Sequence, residues 1–235
     1  MTRLLVSVRS LDEARLAAAA GVDLIDLKEP RRGPLGRVDL AVARQVANSL
    51  SPGIPLSMAL GELAELTDGD EESVRHLPEE IQFAKIGLSR CADSPRWPDL
   101  WRQALGALPP SCSAVAVVYA DWRTTAAPRP AAILAEAMRC GCRALLVDTF
   151  CKQAGDVFAH CSVQELTDIF ARARGAGLFT VLAGSLRLEK LESVLALRPD
   201  YVAVRGAVCQ GDREGGLCPS RLAEWVSRLA SPVQA

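Results

Sequence analysis

The chain has 235 residues, 49% of them hydrophobic and 23% charged, with a formal net charge of −1. That length can bury one large core, and the near-neutral balance argues against a nucleic-acid scaffold or a membrane-surface binder. Leu4-Leu-Val6 is too short for the apolar region of a signal peptide and no stretch approaches ~18 apolar residues, so a soluble cytoplasmic protein is expected.

Leu4–Val8 is the first predicted strand. Ser10-Leu-Asp-Glu13 reads as a capping box that opens a helix through Ala20, closed by Gly21. Leu24–Lys28 is the second strand. Apolar spacing over Val38–Leu50 predicts a helix ended by Pro52-Gly53. Pro55–Leu60 is strand three, followed by Gly61, and the acidic stretch Asp68–Glu80 reads as a short or irregular helix. Phe83–Leu88 is strand four. A helix over Asp99–Leu108 stops at Pro109-Pro110, and Ser113–Ala120 is strand five. Asp121–Arg129 is a loop, and Pro130 starts a helix to about Cys140, with Gly141 as its stop. Ala144–Phe150 is strand six. A second capping box, Ser162-Val-Gln-Glu165, starts a helix that ends near Gly175 or Gly177. Phe179–Ala183 is strand seven, with a helix from about Leu186 to Leu197. Tyr201–Arg205 is strand eight, and the last helix runs from near Pro219 to Leu229.

Strands alternating with helices force a parallel sheet. Eight such units in this length predict an α/β fold: a single-domain (β/α)8 TIM barrel over residues 1–235. A doubly wound open sheet is the alternative, but Ser7-Val-Arg-Ser10 after strand one lacks the expected glycines.

The eight cysteines are scattered, and Cys140-Gly-Cys142 is the only close pair. They read as small buried hydrophobes of a reducing compartment, and no metal site is expected. The lysines are more telling. Of 27 basic residues only four are lysine: Lys28, Lys85, Lys152 and Lys190. Where arginine serves for ordinary charge, a surviving lysine suggests that an amine is needed. An amine can lose its proton and attack a carbonyl; a guanidinium cannot.

In a barrel, catalytic groups sit at the C-terminal ends of strands. The polar residues there are Asp26 and Lys28 on strand two, Lys85 on strand four, and Asp148 with Lys152 at strand six. Alternation along a strand puts Asp26 and Lys28 on one face. Three lysines at one mouth point to amine catalysis on a carbonyl, with the aspartates as orienting or proton-moving partners. Asp26–Lys28 and Asp148–Lys152 are also readable as ion pairs that brace loops. Lys190, flanked by Glu189 and Glu192, reads as a solvated surface residue. Gly184-Ser185 and Arg205-Gly206 lie where barrels commonly bind phosphate. Arg213 either helps there or is loop charge.

Asp26-Leu-Lys28-Glu-Pro30 with Gly33-Pro-Leu-Gly36, Lys85-Ile-Gly87, Asp148-Thr149 with Lys152, and Arg205-Gly-Ala207 resemble the (5-formylfuran-3-yl)methyl phosphate synthase family. The resemblance spans nearly the whole chain. It implies that two glyceraldehyde 3-phosphate molecules condense to 4-(hydroxymethyl)-2-furancarboxaldehyde phosphate, with loss of phosphate and water, in methanofuran or methylofuran biosynthesis. It implies Lys28 as the Schiff-base lysine and Lys85 as proton acceptor. Asp26, Asp148 and Lys152 match further active-site positions, and no metal or organic cofactor is implied. Arg31-Arg32 gives this loop two arginines, which keep positive charge for phosphate. Residues 90–101 and 121–130 are less familiar and receive no role. The alternatives are another Schiff-base aldolase or lyase acting on a sugar phosphate, and a non-catalytic barrel that binds a phosphate ligand. The expected partner is a small triose phosphate, without nucleic acid or membrane, and the Ala/Leu-rich outer helices lead to the expectation of a homo-oligomer.

Overall fold

The computed structural model describes residues 1–50 and 53–230. Eight strands, β1 (Arg3–Val8), β2 (Leu24–Leu27), β3 (Leu56–Glu62), β4 (Ile81–Gly87), β5 (Ser113–Tyr119), β6 (Ala144–Asp148), β7 (Phe179–Leu182) and β8 (Tyr201–Val204), pair in sequence order into a closed barrel. Every pairing is parallel, and β8 returns to β1 to close the ring. Closure leaves no unpaired sheet edge.

Around it run α1 (Leu11–Ala19), α2 (Leu40–Ser49), α3 (Asp68–Arg75), α4 (Trp97–Gly106), α5 (Pro130–Arg139), α6 (Val157–His160), α7 (Val163–Gly175), α8 (Leu191–Ala196) and α9 (Pro219–Ala230). The expected (β/α)8 architecture is the observed one, with local departures. Helix α6 carried no periodic signal because it is one turn long; Asp156 caps it, accepting from the Phe158 and Ala159 N–H groups. The helix expected after β7 divides into a 3-10 turn, Leu188–Lys190, and α8. Strand β8 stops one residue short of Arg205, which turns the chain into a 3-10 segment, Gly206–Val208. Pro52, expected to end α2, lies outside the described residues. Both residues of the Ser162–Glu165 capping box reach back as predicted. At α1 only half of the box forms. Ser10 accepts from the Glu13 N–H, but the Glu13 carboxylate turns to the Arg9 N–H and to Arg205. A buried guanidinium outcompetes one backbone donor because it brings charge as well as hydrogen bonds.

Alternation along each strand sorts the interior into two layers. Leu4, Val6 and Val8 pack outward under the helices, with Trp101 of α4 and Trp225 of α9 fully buried there. Leu5, Leu24, Ala59, Val117, Leu146, Val181 and Tyr201 fill the barrel itself. The polar residues further along the same inward faces therefore emerge at the C-terminal mouth. No helix among the described residues is long and apolar enough to cross a membrane.

Candidate active site

Strand register builds the floor of the site. Ser7, Asp26 and Ser57 are lateral neighbours across β1, β2 and β3. Both hydroxyls donate to the Asp26 carboxylate, at 3.0 Å from Ser7 and 2.6 Å from Ser57. From β4, the Lys85 ammonium joins Asp26 in a buried ion pair and lies 3.1 Å from the Ser57 hydroxyl. Burial alone would raise the Asp26 pKa. The Lys85 and Lys28 charges, with hydrogen bonds from Lys85 and Ser57, more than offset this and hold it below the usual carboxylate value. Asp26 was expected to serve Lys28. It is Lys85 that takes it, because Lys85 reaches across from the inward face of β4 while Lys28 stands one layer higher on Asp26's own strand.

The second pair forms on β6, where the Lys152 ammonium folds back onto Asp148. Asp148 also accepts from the Thr149 N–H at 2.8 Å. Burial pulls the Lys152 pKa down against the attraction of Asp148, and Arg213 adds to the depression. The loop that carries Lys152 hangs on Asp121, whose two carboxylate oxygens accept from the Phe150 and Cys151 N–H groups at 2.8 Å each. A role for Asp121 was not read from the sequence. Its position just beyond an apolar strand was the available signal.

Lys28 lies between these pairs. It is buried to 8% exposure and enters none of the ion pairs among the described residues. Burial dominates, lowering its pKa from 10.5 to about 8. Asp148 and Asp26 pull the other way, and the Lys152 and Lys85 charges oppose them. At pH 7 such an amine is about 9% unprotonated, against about 0.03% for an ordinary lysine. Asp26 and Asp148 thus each pair with one lysine, and Lys28, with its lowered pKa, stands outside both pairs. Lys190 sits exposed on its 3-10 turn, away from this group.

A further network closes the β3–β5 side. The sheet register shifts between Ala59 and Glu62, and this bulge brings the Glu62 carboxylate over Gly87. Glu62 accepts from the Ser89 N–H at 3.0 Å, from the Ser89 hydroxyl at 2.8 Å, and from the Tyr119 hydroxyl. Its pKa is raised, chiefly by burial. A Cβ on residue 87 would lie 2.3 Å from the carboxylate, which explains the glycine of Lys85-Ile-Gly87. The second glycine of the Gly33–Gly36 loop is required in the same way. A Cβ on Gly36 would meet the Glu29 carbonyl oxygen at 2.2 Å, where the Gly36 carbonyl and Glu29 N–H close the loop at 2.8 Å.

After β7, Gly184-Ser185 turns beside Lys152, and after β8, Gly206 opens the 3-10 segment. Ser185 holds φ 53°, unusual for a residue with a side chain, and its hydroxyl lies 3.5 Å from the Lys152 carbonyl oxygen. Arg205 requires a correction. Expected to face phosphate, it directs all its guanidinium nitrogens inward. They donate to both Glu13 oxygens, to the Ser7 carbonyl at 2.9 Å, to the Arg213 carbonyl at 2.8 Å and to the Gly215 carbonyl at 3.0 Å. Five donors in a rigid fork are spent on five contacts, so Arg205 is a brace under the β8 loop.

A closed barrel that gathers three lysines and two aspartates at its catalytic end defines a (β/α)8-barrel enzyme. The sequence match places it more closely. Residues 4–226 fit the family model described as 4-HFC-P synthase. The (5-formylfuran-3-yl)methyl phosphate synthase of Methanosarcina acetivorans is 30% identical, over 90% of this chain and 92% of that protein. The Methanopyrus kandleri protein of the same name is also 30% identical, over 98% of each chain. Among solved structures, phosphoribosyl anthranilate isomerase from Thermus thermophilus superposes with a TM-score of 0.62 at 23% identity, covering 97% of this chain and 98% of that one. A 3-hexulose-6-phosphate synthase superposes with a TM-score of 0.58 at 16% identity, covering 95% and 99%. These structures speak for the fold alone. The chain belongs to the 4-HFC-P synthase family, whose members carry the name (5-formylfuran-3-yl)methyl phosphate synthase, and it is a lyase-type enzyme.

Proposed function

We propose that the protein condenses two glyceraldehyde 3-phosphate molecules into 4-(hydroxymethyl)-2-furancarboxaldehyde phosphate through a Schiff base on Lys28, releasing phosphate and water, within methanofuran-type cofactor biosynthesis. The observation that carries this reading is Lys28 itself: buried, its pKa lowered to about 8, and outside both ion pairs. Its neutral amine attacks the aldehyde carbon of one triose phosphate, and loss of water leaves an iminium. The iminium draws electrons from the neighbouring carbon, so the proton there becomes acidic. Lys85 takes that proton as a neutral amine, having passed its own proton to its partner Asp26. Lys152, with Asp148, supplies protons to oxygens that leave during dehydration and ring closure. The turns at Gly184-Ser185 and Gly206 receive phosphate through their backbone N–H groups, as the fold commonly arranges. Arg205 acts there indirectly, by holding the loop above it.

Borohydride reduction in the presence of glyceraldehyde 3-phosphate tests this. The expected result is a stable adduct on Lys28 by peptide mass mapping, and a furan aldehyde seen by near-ultraviolet absorbance in unreduced samples. Lys85→Ala should still be trapped but not turn over. An adduct on another lysine, or none, sinks the mechanism. An adduct without furan product points to an ordinary aldolase.

A further inference from the structure

Arg213 lies at the tip of the β8 loop. The loop is pinned at its base by the bridge between Cys209 and Leu217 and by the Gln210 N–H on the Gly216 carbonyl at 2.8 Å. Beneath it, Arg205 donates to the Arg213 and Gly215 carbonyls. The Arg213 Cβ stands 3.5 Å from where a Cβ on Gly206 would be, directly over the β8 turn. Its guanidinium reaches the Gly33 carbonyl oxygen at 3.2 Å, on the loop that follows Lys28. It faces the mouth closely enough for its charge to act on Asp148 and Lys152.

This cation is half-buried. None of the ion pairs among the described residues includes Arg213. Arg9, Arg37 and Arg205, the other arginines that are not exposed, each have one. A desolvated guanidinium beside Lys152 and above Arg205 is costly unless an anion joins it. Its planar fork matches a phosphate, and the turn below offers backbone N–H groups to the same anion.

We propose that Arg213 binds the substrate phosphate and sets the preference for phosphorylated over unphosphorylated aldehydes, while Arg205 only orders the loop that presents it. The contact with Gly33 gives that phosphate a direct link to the loop carrying Lys28. The preference for a phosphorylated aldehyde rests on the Schiff-base reading above; binding of phosphate does not.

Two measurements on wild type and Arg213→Gln separate the ideas. The first is calorimetric titration with inorganic phosphate. Removing one charge-assisted fork should weaken binding about 10- to 100-fold. The second is the rate of borohydride trapping with glyceraldehyde 3-phosphate relative to glyceraldehyde. That ratio should fall by a similar factor. Unchanged phosphate affinity in Arg213→Gln, or no phosphate binding by the wild type, overturns the assignment. So does an equal loss of trapping with both aldehydes, which a loop brace would produce. If neither aldehyde is trapped by wild type, the Schiff-base reading fails, and the phosphate titration still decides the role of Arg213.

Discussion

Replacing Lys28 with methionine should abolish trapping and yet make the protein more stable. Its folded pKa is about 8 against 10.5 for a free lysine. From pH 8 to 10.5 the unfolded chain holds a proton that the folded chain has released, so stability rises with pH through that window. Below pH 8 the penalty for a charged Lys28 is fully present. A gap of 2.5 pH units is about 3 kcal/mol at neutral pH, and methionine, of similar length and uncharged, removes it. Asp26 and Asp148 keep Lys85 and Lys152, so neither is left as a lone buried charge. For a chain of this size ~3 kcal/mol is roughly 6 to 12 °C in Tm. Thermal unfolding of wild type and Lys28→Met at pH 7 and pH 10 measures it. The variant should lead at pH 7, and the lead should shrink as pH rises. A variant less stable at pH 7, or a lead that does not depend on pH, refutes the claim that Lys28 is held against its charge.

The same lowered pKa predicts that kcat/KM rises with pH up to about 8 and then levels, because the neutral amine is the attacking form; a flat profile between pH 6.5 and 8 would contradict this. Gly87→Ala should cost about 1–3 kcal/mol in chemical denaturation, since its Cβ falls 2.3 Å from the Glu62 carboxylate, and pairing it with Glu62→Ala should recover most of the loss. Arg205→Ala should cost about 3–5 kcal/mol by leaving Glu13 as an uncompensated buried carboxylate. If Arg205→Ala unfolds like wild type while losing phosphate affinity, Arg205 contacts the ligand after all.

The positions of Lys28, Lys85, Asp148 and Lys152 were legible from one-dimensional information. Strand alternation and the rule that barrel sites open at strand ends suffice to aim those side chains at one mouth. Glu62, Ser7, Ser57 and Asp121 were not legible in this way. Ser7 and Ser57 matter only because the parallel register sets them beside Asp26, and Glu62 only because a bulge turns it over Gly87. Arg205 shows the same limit from the other side. A basic residue after the last strand looks like a phosphate ligand until Glu13, 192 positions away in sequence, is seen to hold it.

Periodicity and capping residues determined the barrel and its strand order, because each depends on neighbours within a turn or a strand, and the scarcity of lysine singled out the amines that lie at its mouth. Which charge pairs with which was decided by the tertiary structure. A buried ion takes whichever counter-ion reaches it across the closed sheet, and in this chain that reach gave Asp26 to Lys85, left Lys28 outside both pairs, and left Arg213 outside the ion pairs among the described residues.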